Sequence, residues 1–280
     1  MPNLKITLAY DGFDFHGWQV QPDRPTIQGT LSEAIRRVTG ESVLAQGSGR
    51  TDAGVHALAQ VASCGINSSI PAANLLIALN DILPAAIRVL RVEPAAPDFH
   101  ARKSARAKTY QYRIYRGNIC PPFLARYVYH HPYPLDEQAI AAAAGEVAGE
   151  RDFTSFAAVD PEKSGKGTAK PAPSEVEGAV PLATGTNGAL APEGEEGERS
   201  ALRTIFTSQW QRLGDEFVYT VRGSGFLHHM VRNLVGTFLL VGKGTLKPND
   251  VSRILQARNR SANPGATAPA HGLYLVSVEY

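Results

Sequence analysis

The two halves of the chain repeat one order of predicted elements, and this repetition constrains the fold more than any other feature. In the first half, apolar residues at strand or helix spacing predict the order β-α-β-β-α-β. The second half follows the order β-α-β-β-α and adds a helix and a last strand. We therefore predict an α+β fold of two related, ferredoxin-like halves, with mixed or antiparallel sheets joined across a central basic cleft. The boundary is expected near residue 103, between an N-terminal half at 1–103 and a C-terminal half at 104–280.

The positions of these elements follow from the apolar periodicity. The predicted strands lie at 5–10, 42–46, 55–64, 87–92, 108–115, 203–212, 216–222 and 272–280. The predicted helices lie at 27–38, after Pro71 to about 83, and at 136–148, 226–240 and 248–257.

The composition is that of a globular protein without a membrane segment. Of 280 residues, 43% are hydrophobic, and no apolar run approaches the roughly 18 residues that span a bilayer. The N-terminus enters a strand pattern without the apolar region of a signal peptide, so we expect a soluble, cytoplasmic protein. Cys64 and Cys120 are the two cysteines. Their spacing supports neither a disulfide framework nor a zinc site, and both are expected to be buried.

The charges are distributed unevenly along the chain. The net charge is +2, but residues 160–200 contain eight acidic and four basic residues, so the rest of the chain carries +6. Eight basic residues crowd into one stretch: Arg88, Arg91, Arg102, Lys103, Arg106, Lys108, Arg113 and Arg116. This cluster fits either a solvated strand face or a surface that binds phosphates.

Residues 157–201 form a segment of different composition. The segment contains no aromatic residue and is dominated by small, polar and acidic residues without periodicity. We predict a flexible acidic insertion. It serves either as a loop without chemistry or as a regulatory, partner-binding arm.

A glycine-flanked loop at 49–57 displays one carboxylate, Asp52, two residues from the guanidinium of Arg50. Glycine allows sharp turns and close approach of a ligand, and a neighbouring arginine favours the charged form of the carboxylate. Asp52 is therefore a candidate catalytic acid, although aspartate beside glycine is also ordinary turn chemistry. The loop lacks the Gly-Lys-Ser/Thr ending of a nucleotide-binding loop, so we expect no nucleotide cofactor.

Two further residues are candidates for the same site. Arg232 lies on an almost wholly apolar helix. Its charge either pairs with Asp52, pairs with another acidic side chain or reaches solvent. Tyr110 lies on a strand within the basic cluster. Its ring is either a core residue or a platform on which an extracted RNA base stacks.

The histidines give weaker signals. His228 and His229 are adjacent, so on a helix they would point in different directions and could not form the i, i+4 pair of zinc hydrolases. We therefore predict no metal site. His16 and His56 could position a substrate, with packing as the default.

Taken in order, these segments resemble the tRNA pseudouridine synthase A family over nearly the whole chain. The specific matches are Gly49-Arg-Thr-Asp-Ala-Gly-Val-His-Ala57 and the His-His-Met-Val-Arg-Asn run that begins at His228. Weaker matches lie at 10–12, 17–19, 99–102, 110–112, 152–156 and 272–275.

The resemblance implies an enzyme that converts uridine to pseudouridine at positions 38 to 40 of the tRNA anticodon arm, without a cofactor. It implies that Asp52 is the catalytic carboxylate, that Tyr110 stacks on the flipped uracil and that Arg232 pairs with Asp52. Arg50 is expected to position the substrate and Arg102 to bind it. A homodimer is also implied.

The chain departs from the family pattern at two places. The segment 157–201 is longer and more acidic than its counterpart, and Lys108-Thr109 stands where many members have paired arginines, which weakens the expected phosphate contact. Two other classes compete with the enzyme: an RNA-binding module without catalysis, and a metal-dependent hydrolase that uses His56, His228 and His229.

Overall fold

The computed structural model describes residues 2–158 and 200–280. The predicted insertion therefore lies outside the described residues, apart from its two ends. Five helices are described: α1 (Ile27–Thr39), α2 (Ala72–Ile82), α3 (Glu137–Gly145), α4 (Met230–Gly242) and α5 (Asp250–Ala257). The described strands are β1 (Asn3–Tyr10), β2 (Gln46–Gly47), β3 (His56–Gly65), β4 (Ile87–Ala95), β5 (Ala107–Tyr115), β6 (Tyr129–His130), β7 (Gly149–Asp152), β8 (Leu202–Leu213), β9 (Glu216–Gly223) and β10 (Leu273–Glu279).

The strands form one continuous mixed sheet, which confirms the α+β class. The order is β4-β1-β3-β10-β5-β9-β8-β7, with β2 paired to β3 and β6 paired to β5. The last strand, β10, lies in the middle, antiparallel to β5 and parallel to β3. The parallel pairing is short, with Tyr274 opposite His56 and Leu275 opposite Ala57. The sheets of the two predicted halves thus meet at β3 and β10.

The alternation predicted for β5 is confirmed. Tyr110, Tyr112 and Ile114 are buried on one face of the strand. Helices α3 and α4 pack against each other, and α2 packs on β4. The core therefore runs along the sheet from the first helices to α4 and α5.

Two predicted elements differ most from their observed bounds. The predicted strand at 42–46 is reduced to Gln46–Gly47, because the backbone of buried Ala45 is bound by side chains of α1 instead of a strand. The Ala45 amide donates to Ser32 Oγ, and Gln28 Nε2 donates to the Ala45 carbonyl. The helix predicted from Phe226 begins at Met230.

The expectation for the cysteines is half correct. Cys64 is buried, whereas Cys120 is partly exposed. Within the described ranges, each helix is too short or too polar to cross a membrane.

Candidate active site

The loop that carries Asp52 connects β2 to β3, and hydrogen bonds to buried polar side chains hold it in place. Tyr10 Oη and Thr51 Oγ1 share a hydrogen bond of 2.8 Å, and Gln60 Nε2 donates to the Gly49 carbonyl at 3.0 Å. The Ser48 hydroxyl donates to Gln60 Oε1 at 2.6 Å. These groups satisfy one another in the interior, so the loop has a fixed shape.

The chain between β1 and α1 lies against this loop at Gly17. A Cβ on Gly17 would stand 2.5 Å from the Thr51 carbonyl oxygen, and its φ of +83° is left-handed. The Trp18 amide donates to the same carbonyl at 3.0 Å. A glycine is therefore required at position 17 for the close approach that supports the backbone of Asp52.

Arg232 contacts Asp52 directly, as one of the sequence alternatives has it. Its Nη1 donates to Asp52 Oδ2 at 2.7 Å, and its Nε donates to the Ala268 carbonyl at 2.8 Å. Both side chains are largely buried, with 14% and 19% of their surfaces exposed. The two contacts fix the guanidinium plane, which in turn orients the carboxylate.

The sequence around Arg232 docks α4 onto the segment that precedes β10. Asn233 donates from Nδ2 to the Phe156 carbonyl and accepts from Thr267 Oγ1. A Cβ on Gly236 would lie 1.7 Å from the Ala266 carbonyl oxygen. The arginine, the asparagine and the glycine of this motif thus have separate physical roles in placing the first turn of α4 beside Asp52.

The prediction that His228 and His229 point apart is wrong, because both residues precede the helix. His229 is the residue before α4 and has a left-handed φ of 57°. The two rings are tilted by 33° with centroids 3.9 Å apart, and a nitrogen of each lies near Asp52. His228 Nε2 lies 3.6 Å from Oδ1, and His229 Nε2 lies 3.3 Å from Oδ2. Burial lowers the pKa of His229, which favours the neutral ring.

Asp52 opens into a cavity of about 850 Å³. Its walls come from both predicted halves. The lining includes residues of the Asp52 loop together with residues of β5, β8 and the turn before α4. Apolar side chains supply part of the lining: Val55, Tyr110, Phe226, Leu227, Met230, Val231 and Leu273.

Tyr110 is a core residue that also lines the cavity, and its stacking on an RNA base stays a prediction. Only 7% of its surface is exposed, and it packs edge-on against Phe226 with centroids 5.0 Å apart. It also lines the cavity. Burial raises the pKa of its hydroxyl well above the ordinary value, so the ring is neutral.

Four cationic side chains line the same cavity: Arg50, Arg102, Lys108 and Arg203. Arg50 and Arg102 are exposed at the cavity wall. Lys108 donates from Nζ to the Ser48 carbonyl at 2.5 Å. Burial, followed by repulsion from Arg102 and Arg203, lowers the pKa of Lys108 to about 8. Cations gathered in this way form a site for anionic groups.

The residues of the basic cluster, which fits either a solvated strand face or a phosphate-binding surface, have different partners in the structure. Arg113 forms a bidentate pair with Glu216, with distances of 2.6 Å. Arg116 lies 3.5 Å from Glu137 and donates to backbone carbonyls. Arg88 likewise donates to carbonyls near its own strand. Of the eight residues, Arg102 and Lys108 line the cavity.

His56 is a packing residue, as its default interpretation has it. The ring stacks on Tyr274 with centroids 4.9 Å apart. Its Nδ1 accepts from the Gly12 amide and its Nε2 donates to the Arg126 carbonyl, both at 3.2 Å. These bonds define the neutral form, in agreement with the pKa lowered by burial.

Sequence reasoning missed three contributors to the cavity. Arg203 is the second residue of β8 and is predicted only as part of a strand, and Phe226 is predicted as part of a helix. The helical spacing excludes the histidine pair. A signal exists for the histidines, since two adjacent imidazoles lie four and three residues before an arginine on an otherwise apolar segment. Arg203 has no such signal, because only the sheet order brings β8 near β5.

A carboxylate oriented by a buried arginine, in a cationic cavity between two parts of one sheet, defines an α+β enzyme. Comparison with known families is consistent with this class. The family model for tRNA pseudouridine synthase matches residues 6–102 and 188–280. The chain belongs to the tRNA pseudouridine synthase family, and its members are isomerases.

Relatives match over the full chain. A tRNA pseudouridine synthase A of Solibacter usitatus is 48% identical over 280 residues, which covers all of both chains. The proteins of the same name from Moorella thermoacetica and Lacticaseibacillus casei are 40% and 39% identical, again over all of both chains.

Proposed function

We propose that this enzyme isomerises uridine to pseudouridine in the anticodon stem-loop of tRNA, at positions 38, 39 and 40. The observation that carries the proposal is the Arg232–Asp52 pair at the base of the cationic cavity. The names of the relatives supply the substrate class. The cavity lies at the junction of β3 with β10 and β5, so residues of both predicted halves contribute to it.

The residues that line the cavity suit this isomerisation. The reaction breaks the N1–C1′ bond, turns the uracil and joins C5 to C1′, so it needs no redox or phosphoryl energy. Asp52 acts either by attack on C1′ or C6 or by removal of the C2′ proton. Asp52 is the one carboxylate among the described residues that line the cavity. Hydrolysis of a glycosidic bond usually uses two carboxyl groups, so a single one fits isomerisation better.

The substrate base leaves the RNA stack to reach Asp52. The ring of Tyr110, supported by Phe226, offers an apolar surface beside the carboxylate. Arg50, Arg102 and Lys108 lie where phosphates of the flanking nucleotides can be bound. In this arrangement Arg232 is a positioning residue, because it touches Asp52 and the Ala268 carbonyl.

We further propose a homodimer in the cytoplasm. The dimer is supported by the family relationship and by two strongly exposed apolar side chains, Ile119 and Phe123, which are 85% and 88% exposed. Light scattering of the purified protein tests the dimer. A mass near 30 kDa at micromolar concentration would contradict it.

The decisive experiment is tritium release from a tRNA transcript labelled at C5 of uridine. Asp52→Asn keeps the shape of the side chain but removes its charge. We expect it to abolish release and to leave tRNA affinity within a few-fold. Asp81→Asn, which changes an exposed carboxylate on α2 outside the cavity, is the matched control and should release tritium at the normal rate.

Two outcomes would contradict the proposal. Unchanged turnover in Asp52→Asn would remove Asp52 from the chemistry. Tight tRNA binding without release by the unmodified protein would instead indicate an RNA-binding protein without catalysis.

A further inference from the structure

Asp52, His228 and His229 present a set of metal-ligating atoms to the cavity. One ligand atom from each of the three residues lies within 4.8 Å of the other two. A carboxylate oxygen and two imidazole nitrogens are the donor set of many three-residue zinc sites that keep one position open.

The separations within this cluster fit ligands of one metal ion better than hydrogen bonds. His228 Nε2 stands 3.6 Å from Asp52 Oδ1, and His229 Nε2 stands 3.3 Å from Asp52 Oδ2. Charge-assisted hydrogen bonds are shorter, at about 2.7–2.9 Å. Zinc bonds of about 2.0–2.1 Å at tetrahedral angles place neighbouring ligand atoms about 3.3 Å apart.

Hydrogen bonds fix the backbone of both histidines. The Ala158 amide donates to the His228 carbonyl at 3.0 Å, and the Asn233 amide donates to the His229 carbonyl at 2.9 Å. His228 Nδ1 is buried and lacks a hydrogen-bond partner among the described residues.

The charge of Arg232 limits where a cation can bind. The guanidinium occupies Oδ2, and Oδ1 is the oxygen nearer to His228. A metal ion bound through Oδ1 would lie beside His228 and leave the Arg232 contact in place, and the His229 ring, which is nearer to Oδ2, would turn toward it. The open fourth position would then face the cavity, where the substrate must approach Asp52.

We propose that Asp52, His228 and His229 form a Zn²⁺ site and that its occupation reversibly inhibits the enzyme. The inhibitory role rests on the proposed function of Asp52, whereas metal binding does not. A bound ion withdraws the carboxylate lone pairs that the reaction uses and blocks the approach of the base.

Calorimetric titration of the EDTA-treated full chain with ZnCl₂ tests the binding. We expect one equivalent to bind. Asp52→Asn and His228→Gln should each weaken this binding at least about tenfold, as expected for loss of one ligand. His229→Asn, which keeps a residue that tolerates left-handed backbone, should do the same. His16→Gln removes an imidazole outside the cavity and should bind Zn²⁺ as the unmodified protein does.

Cobalt provides a second readout that does not depend on activity. Co²⁺ at a tetrahedral site of nitrogen and oxygen ligands gives visible absorption bands, which should be lost in His228→Gln. Equal Zn²⁺ binding by all variants, or no binding by the unmodified protein, would overturn the site.

Tritium release distinguishes the proposed isomerase function from the proposed inhibition by Zn²⁺. If both hold, Zn²⁺ suppresses release, EDTA restores it, and His228→Gln requires at least about tenfold more Zn²⁺ for the same fractional suppression. Zn²⁺ binding at the cluster without any release in EDTA would contradict the proposed function and leave the metal site. Release that Zn²⁺ does not affect would contradict the inhibitory role.

Discussion

At the scale of single residues, the site depends on one arginine with two partners. Arg232 reaches Asp52 with Nη1 and the Ala268 carbonyl with Nε, so the planar guanidinium spans two fixed points. Lysine carries the same charge on one nitrogen and cannot span both. Charge alone would therefore not preserve the geometry.

We predict that Arg232→Lys lowers kcat on the order of 10–100-fold and leaves tRNA affinity nearly unchanged, because a misplaced carboxylate affects the chemical step. Steady-state tritium release gives kcat and KM separately. Arg253→Lys, an exposed arginine paired with Asp250 on its own helix, is the control. A raised KM with normal kcat would assign Arg232 to substrate binding instead.

The lowered pKa of Lys108 predicts that the stability of the folded protein depends on pH. Its pKa is about 8 in the folded protein and has the ordinary value of 10.5 when unfolded. Between these values the unfolded chain binds more protons, so this lysine makes the folded state more stable as pH rises from about 8 to 10.5. Over this range we expect the urea midpoint of the unmodified protein to rise relative to that of Lys108→Met. A constant difference between the two midpoints would contradict the lowered pKa.

At the scale of elements, the position of α4 is set by how closely its backbone approaches the segment before β10. Gly236 lies against the Ala266 carbonyl, and Asn233 and Arg232 bond to the next two residues, Thr267 and Ala268. The first turn of the helix reaches Asp52 because of this contact. The helix is thus part of the site through its packing as well as through its side chains.

We predict that Gly236→Ala destabilises the protein by at least about 2 kcal/mol, because the added methyl group forces the helix away from the segment. Gly145→Ala is the matched control. It lies in the last turn of α3 with no atom near the added Cβ, so its effect should stay within about 1 kcal/mol. Urea unfolding measures both. Equal free energies of unfolding for the two variants would show that α4 can move without loss of stability.

At the scale of the whole molecule, the two predicted halves share one sheet. His56 on β3 stacks on Tyr274 of β10, and Tyr274 Oη donates to the Tyr127 carbonyl at 2.6 Å. The ion pair at the site joins Asp52 from one half to Arg232 from the other. A boundary at residue 103 remains a prediction, and cooperativity of unfolding is the property that tests it.

We predict that the halves unfold together, because β3 would lose its β10 neighbour if one half opened alone. The chain has two tryptophans, Trp18 in the first half and Trp210 in the second. In Trp18→Phe and Trp210→Phe, the remaining fluorescence should give the same urea midpoint as circular dichroism at 222 nm. Fluorescence midpoints that differ from the circular dichroism midpoint would indicate independent halves.

The sequence alone determined most elements, because their periodicity and caps are local properties. Glycine spacing identifies the Asp52 loop as a candidate site. A charge on an otherwise apolar helix does the same for Arg232. The strand at 42–46 and the start of α4 were wrong because side chains of α1 bind Ala45 and because His229 adopts a left-handed conformation.

Only the tertiary structure decided which residues share the cavity. The order β3-β10-β5-β9-β8 brings Arg203 toward Lys108, and the packing of α4 places the histidine pair beside Asp52. The pairing of β5 with β9 brings Arg113 to Glu216, and the arginine side chain stays 32% exposed. Sequence patterns report the local period and the burial of one element, whereas the neighbours of a charge depend on pairings between residues more than 100 positions apart.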